Sequence, residues 1–184
     1  MQARGKHGMK PRTERRSYML HILFVCTGNT CRSPMAKAIY EVKSREYGIN
    51  SIFSSCALGF CEGQKVSPNA VIVCNEIGID ISNHKPRIIR ERDIDITDIY
   101  VVMTISHAET LVSVGVPREK ICILGGGIPD PFGSDLVNYR RCRKYIEESI
   151  DGFCRVLLKK IETGEIKVSD NDKPYVGGNA EKTS

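Results

Sequence analysis

Between residues 19 and 162 short apolar runs alternate with longer amphipathic stretches. Residues 19–25 (MLHILFV) form a continuous apolar run rich in β-formers, the pattern of a parallel strand buried on both faces. The run ends at Cys26, and the polar segment 27–32, with Gly28 and Asn29, reads as a loop. Ser33 followed by Pro34 supplies an N-cap with proline at the first helical position, and Ala36, Ile39, Tyr40 and Val42 carry a helix to Gly48. Residues 51–55 make a second strand. Ser67-Pro68 repeats the cap-and-proline signal and opens a helix through Val71, Ile72 and Ile77 that closes at Gly78. A short helix is expected over 86–91, a third buried strand over 99–103 (IYVVM), a helix capped by Ser106 running to about Val114, and a fourth strand over 121–124. Three glycines at 125–127 break the pattern. From Ser134 or Asp135 to about Ile161, the residues Leu136, Tyr139, Ile146, Ile150, Phe153, Leu157 and Ile161 fall near helical spacing, and Thr163-Gly164 ends that helix.

Strands alternating with helices predict an α/β fold: a four-stranded parallel sheet, doubly wound, with helices on both faces. Such sheets bind ligands outside the carboxyl ends of their strands, where strand order reverses. Cys26 directly follows the first strand, and Asp130 lies shortly after the fourth. The 184 residues divide into a basic tail (1–17), one domain (18–163) and a polar C-terminal tail (164–184). The formal charge of +5 would hint at nucleic acid, but its location argues otherwise. Residues 1–17 carry six Lys/Arg against one acid, whereas 18–162 carry 18 basic and 17 acidic residues. The domain is therefore near neutral, and no nucleic-acid partner is expected; the tail is either a solvated extension or a contact for an acidic partner. No apolar run reaches signal-peptide or membrane-spanning length, which implies no membrane association and a cytoplasmic location. The eight cysteines form no CxxC pair and no metal-ligand spacing, so a reducing compartment, no metal and no cofactor are expected.

The chemistry concentrates in Cys26-Thr27-Gly28-Asn29-Thr30-Cys31-Arg32-Ser33. A Cys and an Arg six positions apart are unremarkable alone; their place between a strand and a helix gives them meaning. A loop of this length at a helix N-terminus points successive backbone N–H groups inward as an anion nest. Gly28 and Asn29 are residue types that accept the positive φ such a curl demands. Arg32 closes the cradle with a fork matched to two phosphate oxygens. At its floor, Cys26 meets N–H groups, the helix dipole and Arg32, which together favour thiolate over thiol and make it a nucleophile toward phosphorus. Ser33 can donate a hydrogen bond to the departing sulfur. Such a cradle should also take free phosphate and other oxyanion inhibitors. Asp130 stands in Ile128-Pro129-Asp130-Pro131-Phe132-Gly133, where two prolines restrict the backbone. There it can protonate a leaving group and then activate water. An aspartate in that setting also serves as an ordinary turn or helix-capping residue.

CTGNTCRSP followed far downstream by DPFG resembles the low-molecular-weight protein tyrosine phosphatases over roughly residues 19–160. The resemblance implies a four-stranded parallel sheet, no metal, a phosphorylated protein as substrate, and the roles above for Cys26, Arg32, Ser33, Asn29 and Asp130. It also implies that Cys31 can pair with Cys26 in a reversible disulfide; otherwise Cys31 is a small residue filling space beneath the loop. Three features depart from the family pattern. Phe132, expected to wall the substrate, is followed by Gly133 rather than a second aromatic. Thr30 replaces a commonly aliphatic residue, which resembles the bacterial protein arginine phosphatase branch: a hydroxyl suits a polar phosphoramidate, and a bulky Ile would crowd a trigonal guanidinium. The family's Ser-Ala-Gly after the second strand reads Ser55-Cys56-Ala57. Phosphotyrosine and phosphoarginine both remain open.

A thioredoxin-coupled arsenate reductase shares this cradle but needs further redox cysteines near the third strand, and residues 98–106 contain none. A phosphocysteine carrier of a sugar-uptake system, or a non-catalytic anion-binding module, would not need both Arg32 and Asp130. His84 and His107 read as structural histidines near loops. Phe60 and Phe132 read as cleft-lining or packing residues, and Tyr139 and Tyr145 as surface or core positions on the last helix.

Overall fold

In the computed structural model, which describes residues 19–59 and 63–167, the first apolar run forms β1 (Leu20–Cys26), one residue later than its pattern suggests. It lies between β2 (Ser51–Ala57) and β3 (Ile99–Val102), and β4 (Ile121–Ile123) pairs with β3. All pairings are parallel, in the order β2-β1-β3-β4. The helices are α1 (Arg32–Glu46), α2 (Pro68–Asn75), α3 (Glu91–Ile96), α4 (Ile105–Ser113) and α5 (Leu136–Glu162). Successive β1 side chains point to opposite faces. Leu20, Ile22, Phe24 and Cys26 enter one core with residues of α1, α2 and α5. Leu23 and Val25 enter a second with Tyr100, Val102, Ala108 and Leu111. Helices cover both faces, which is why the strand reads as an unbroken apolar run instead of alternating. The expected doubly wound sheet is thus the observed one.

The long helix α5 buries Tyr139, Cys142, Ile146, Ile150, Cys154, Leu157 and Ile161, one residue per turn. Fully burying such a side chain contributes roughly 1.5–3 kcal/mol. Sheet order places the carboxyl ends of β1 and β3 side by side, so the loops after β1, β3 and β4 converge at the switch point.

Three local expectations are corrected. The helix expected over 86–91 is absent. Ile88 instead forms a parallel bridge with Ala57, the Ala57 N–H donates to the Arg87 carbonyl (2.7 Å), and the Ile89 N–H donates to the Ala57 carbonyl (2.9 Å). Pro86 favours extended backbone before it, and Arg87 is held by Asp93 through both guanidinium nitrogens (2.6 and 3.0 Å), so the helix starts only at Glu91. Helix α4 is capped by Thr104, whose Oγ1 accepts from the His107 N–H (3.4 Å), and not by Ser106. Cys31 occupies the N-cap of α1; Ser33 lies within the first turn, its hydroxyl committed to another partner. No described helix is long and apolar enough to cross a membrane. The tail readings for 1–17 and most of 164–184, together with Phe60, lie outside the described residues.

Candidate active site

β1 delivers Cys26 to the centre of the sheet's carboxyl edge, almost completely buried. The chain then turns through Asn29, whose φ of 53° makes it the single non-glycine residue with positive φ among those described. Gly28 is not in that region, a correction to the expected pair; the curl needs one left-handed residue, and Asn29 supplies it. The turn brings the Asn29 N–H to 3.3 Å from the Cys26 sulfur, and the Ser33 hydroxyl stands 2.9 Å from the same sulfur.

Asn29 is fixed from several sides. Its Nδ2 donates to Ser33 Oγ (2.8 Å) and to Ser55 Oγ (3.0 Å). Its Oδ1 accepts from the Arg87 N–H (3.2 Å) and faces His84 Nε2 (3.1 Å), which also faces the Asn29 carbonyl (3.1 Å). With two acceptors before it, His84 Nε2 carries the proton. Burial pushes the His84 pKa down. Ser55 lies inside β2, so Ser55-Cys56-Ala57 continues the strand, and the serine hydroxyl becomes an anchor for the loop.

Further contacts hold the rest of the loop. The Leu58 N–H donates to the Cys26 carbonyl (3.0 Å) and the Gly59 N–H to the Thr27 carbonyl (2.8 Å). A Cβ on Gly59 would stand 3.2 Å from that carbonyl oxygen, so glycine permits this close approach. Thr27 Oγ1 pairs with His107 Nε2 (2.9 Å), while His107 Nδ1 pairs with Thr104 Oγ1 (3.0 Å). Burial, aided by the Arg32 charge, pushes the His107 pKa down to about 4, so the ring is neutral at pH 7. Cys31 turns its sulfur to the Tyr139 hydroxyl (3.2 Å), which accepts from Ser67 Oγ (2.9 Å), and Thr30 Oγ1 lies 3.5 Å from the Cys31 sulfur. Cys26 and Cys31 are both free thiols.

Arg32 is buried in the first turn of α1. One guanidinium nitrogen donates to the Ile128 carbonyl (3.4 Å), and the other makes an ion pair with Asp130 Oδ2. Asp130 Oδ1 accepts from the Phe132 N–H (3.1 Å). The carboxylate therefore shapes its own turn, the turn role the sequence offered for it, and also reaches Arg32 of the loop after β1. Asp130 is half exposed and can meet a substrate. Phe132, on the same turn, is 73% exposed.

Of the sequence-derived candidates, Cys26, Thr27, Gly28, Asn29, Thr30, Cys31, Arg32 and Ser33 share one segment, the Asn29 N–H and the Ser33 hydroxyl reach the Cys26 sulfur, and Asp130, with Phe132 on its turn, joins that segment through Arg32. Sequence reasoning missed Ser55, Arg87, Tyr139 and Thr104, and it gave His84 and His107 no link to the loop. Paired serines within a strand whose far end is buried were the available signal for Ser55; nothing local marked the others. A cleft of about 1040 Å³ at the opposite end of the sheet, lined by Leu20, Ile99 and Ile121, touches none of these groups.

Residues 21–163 match the family model described as low molecular weight phosphotyrosine protein phosphatase. A protein-arginine-phosphatase of Bacillus subtilis is 32% identical over 148 residues, covering 76% of this chain and 98% of the relative. An arsenate reductase 2 of Bacillus cereus is 34% identical over 144 residues, covering 78% and 96%. Among solved structures, a cysteine-to-serine mutant of the YwlE arginine phosphatase with a phosphorylated active-site serine superposes with a TM-score of 0.73 at 30% identity, covering 78% of this chain and 99% of that one.

Proposed function

The chain belongs to the low-molecular-weight phosphotyrosine protein phosphatase family, and we propose that it removes phosphoryl groups from protein side chains, phosphoarginine foremost, through a phospho-cysteine intermediate on Cys26. One observation carries the reading. The Cys26 sulfur lies at the floor of a loop that gives it the Asn29 N–H and the Ser33 hydroxyl, beside a buried arginine paired with Asp130.

On this reading the incoming dianion takes over the Arg32 fork, and the Asp130 carboxylate so released takes up a proton from solvent. The ionised Cys26 sulfur attacks phosphorus in line with the leaving atom: a P–S bond forms, the P–N or P–O bond breaks, and Asp130 gives its proton to the leaving nitrogen or oxygen. Asp130, now a carboxylate, takes a proton from water as its oxygen attacks phosphorus. The P–S bond breaks, phosphate leaves, and the Ser33 hydroxyl stabilises the departing thiolate. Inward N–H groups and Arg32 stabilise the charge on the transferring group.

Phosphoarginine is favoured by Thr30, whose buried hydroxyl offers a polar contact where a larger aliphatic chain would crowd a planar guanidinium. The single aromatic on the acid loop and the arginine-phosphatase relatives support the same substrate. Phosphotyrosine is the second reading, favoured by Phe132, which stands exposed beside Asp130 as one wall for an aromatic ring. Arsenate reduction is disfavoured. No cysteine lies between Cys74 and Cys122, and burial pushes the Cys74 thiol up to about 12 and the Cys122 thiol up as well.

Turnover of para-nitrophenyl phosphate, phosphoarginine peptides and phosphotyrosine peptides should be measured in parallel, on wild type and on Thr30→Ile. We expect turnover of all three, a preference for phosphoarginine, and a shift toward phosphotyrosine in the variant. Absence of any turnover would remove the hydrolase reading; an unchanged preference in the variant would remove the role of Thr30.

A further inference from the structure

A second cleft, of about 700 Å³, begins at Asp130 and Pro131 and runs along α5 past Arg141 and Tyr145 to Glu148. Its size suits a ligand-binding groove. Because Asp130 itself forms part of its wall, anything seated there is held against the proposed general acid.

The charges along α5 are not equivalent. Arg140 is tied to Glu76 (2.8 Å) and Arg143 to Glu147 (2.8 Å). Arg141 and Lys144, which line the cleft, are exposed and have no ion-pair partner among the described residues. Asp130 is already matched by Arg32, so the cleft presents two unpaired cations against the single carboxylate of Glu148. Val137, 59% exposed, shares the helical stripe of Arg141 and Lys144 at i, i+4 and i+7 and gives the basic pair an apolar neighbour.

We propose that this cleft is the docking site for the polypeptide flanking the phosphorylated residue, and that Arg141 and Lys144 select substrates with an acidic side chain next to that residue. The inference rests on the phosphoprotein reading and adds a sequence preference to it. Exposed charges of this kind act on encounter and on kcat/KM for the charged partner, and salt screens them.

The test compares phosphopeptides that carry the same phosphorylated residue between acidic or between lysine flanks, with para-nitrophenyl phosphate as a substrate too small to reach α5. The proteins are wild type, Arg141→Ala/Lys144→Ala and Arg141→Glu/Lys144→Glu. Wild type should prefer acidic flanks, and the preference should shrink as ionic strength rises. The alanine pair should lower kcat/KM for the acidic peptide about fivefold, and the glutamate pair should reverse the preference, while para-nitrophenyl phosphate turnover stays unchanged and reports an intact fold. An acidic-to-basic ratio that is the same in all three proteins, with both peptides turned over, would overturn the docking proposal alone. Failure of wild type to turn over either peptide or para-nitrophenyl phosphate would instead remove the phosphatase reading, and this inference with it.

Discussion

Asn29 is the residue on which the geometry of the loop most depends, and Asn29→Ala should cost about 2–4 kcal/mol of stability. Two contributions make up that figure. At a φ of 53°, an alanine meets the Cβ clash of the left-handed region, about 1–2 kcal/mol, which asparagine tolerates through local hydrogen bonds. Removing the carboxamide also leaves the part-buried Arg87 N–H without its acceptor, at about 1–2 kcal/mol, the lower part of the range for a fully buried donor. The Ser33 and Ser55 hydroxyl oxygens lose the Nδ2 donor, but each hydroxyl can still donate its own hydrogen, so they add little. Asn29→Gly separates the two contributions, because glycine accepts positive φ and should be about 1 kcal/mol better than alanine while still lacking the hydrogen bonds. Urea unfolding at 25 °C reads both variants: with a slope of about 1–3 kcal/mol per molar, a loss of 3 kcal/mol moves the midpoint by about 1–3 M. Turnover should fall about tenfold or more in both, since the Ser33 hydroxyl loses the donor that aims it at the Cys26 sulfur. An alanine variant within about 0.5 kcal/mol of wild type, or a glycine variant no better than alanine, would refute this account of the loop.

Cys26→Ser should abolish turnover while phosphate or vanadate still binds, because the substitution leaves the Asn29 N–H and Arg32 in place; residual activity would contradict the nucleophile assignment. Asp130→Ala should slow poor leaving groups far more than good ones in a series of aryl phosphates, and equal slowing across the series would argue against an acid role. The buried neutral His107 predicts a pH dependence of stability. Its folded pKa, about 4, lies below the unfolded value near 6.5, so the unfolded chain binds the extra proton first on acidification. Stability should therefore fall as pH drops from about 6.5 to 4, by on the order of 3 kcal/mol from this group. His107→Gln should flatten that part of the profile in urea titrations; an unchanged slope would show that other groups, such as His84, carry it.

How much was legible from the chain depended on whether the signal was local. Cys26, Arg32, Ser33 and Asn29 lie within eight residues, so spacing and residue type sufficed to propose a cradle before any tertiary contact was known. The strands were legible because burial on both faces leaves unbroken apolar runs, and α5 because a single buried stripe repeats along it. The segment 86–91 was misread as a helix because its partners are remote: its backbone groups are committed to Asn29 and Ala57, which no local propensity reveals.

The sequence by itself determined the alternation of strands and helices, the loop carrying the nucleophile, and the proline-flanked aspartate. Those properties follow from side-chain periodicity and local backbone preference, which act within a few residues. Tertiary structure alone decided that Asp130 crosses 98 positions of sequence to meet Arg32, that His107 steadies Thr27, and that Tyr139 reaches Cys31 from the last helix. Those contacts depend on the order in which the strands pair, and strand order is set by packing of the whole sheet between its two helical layers.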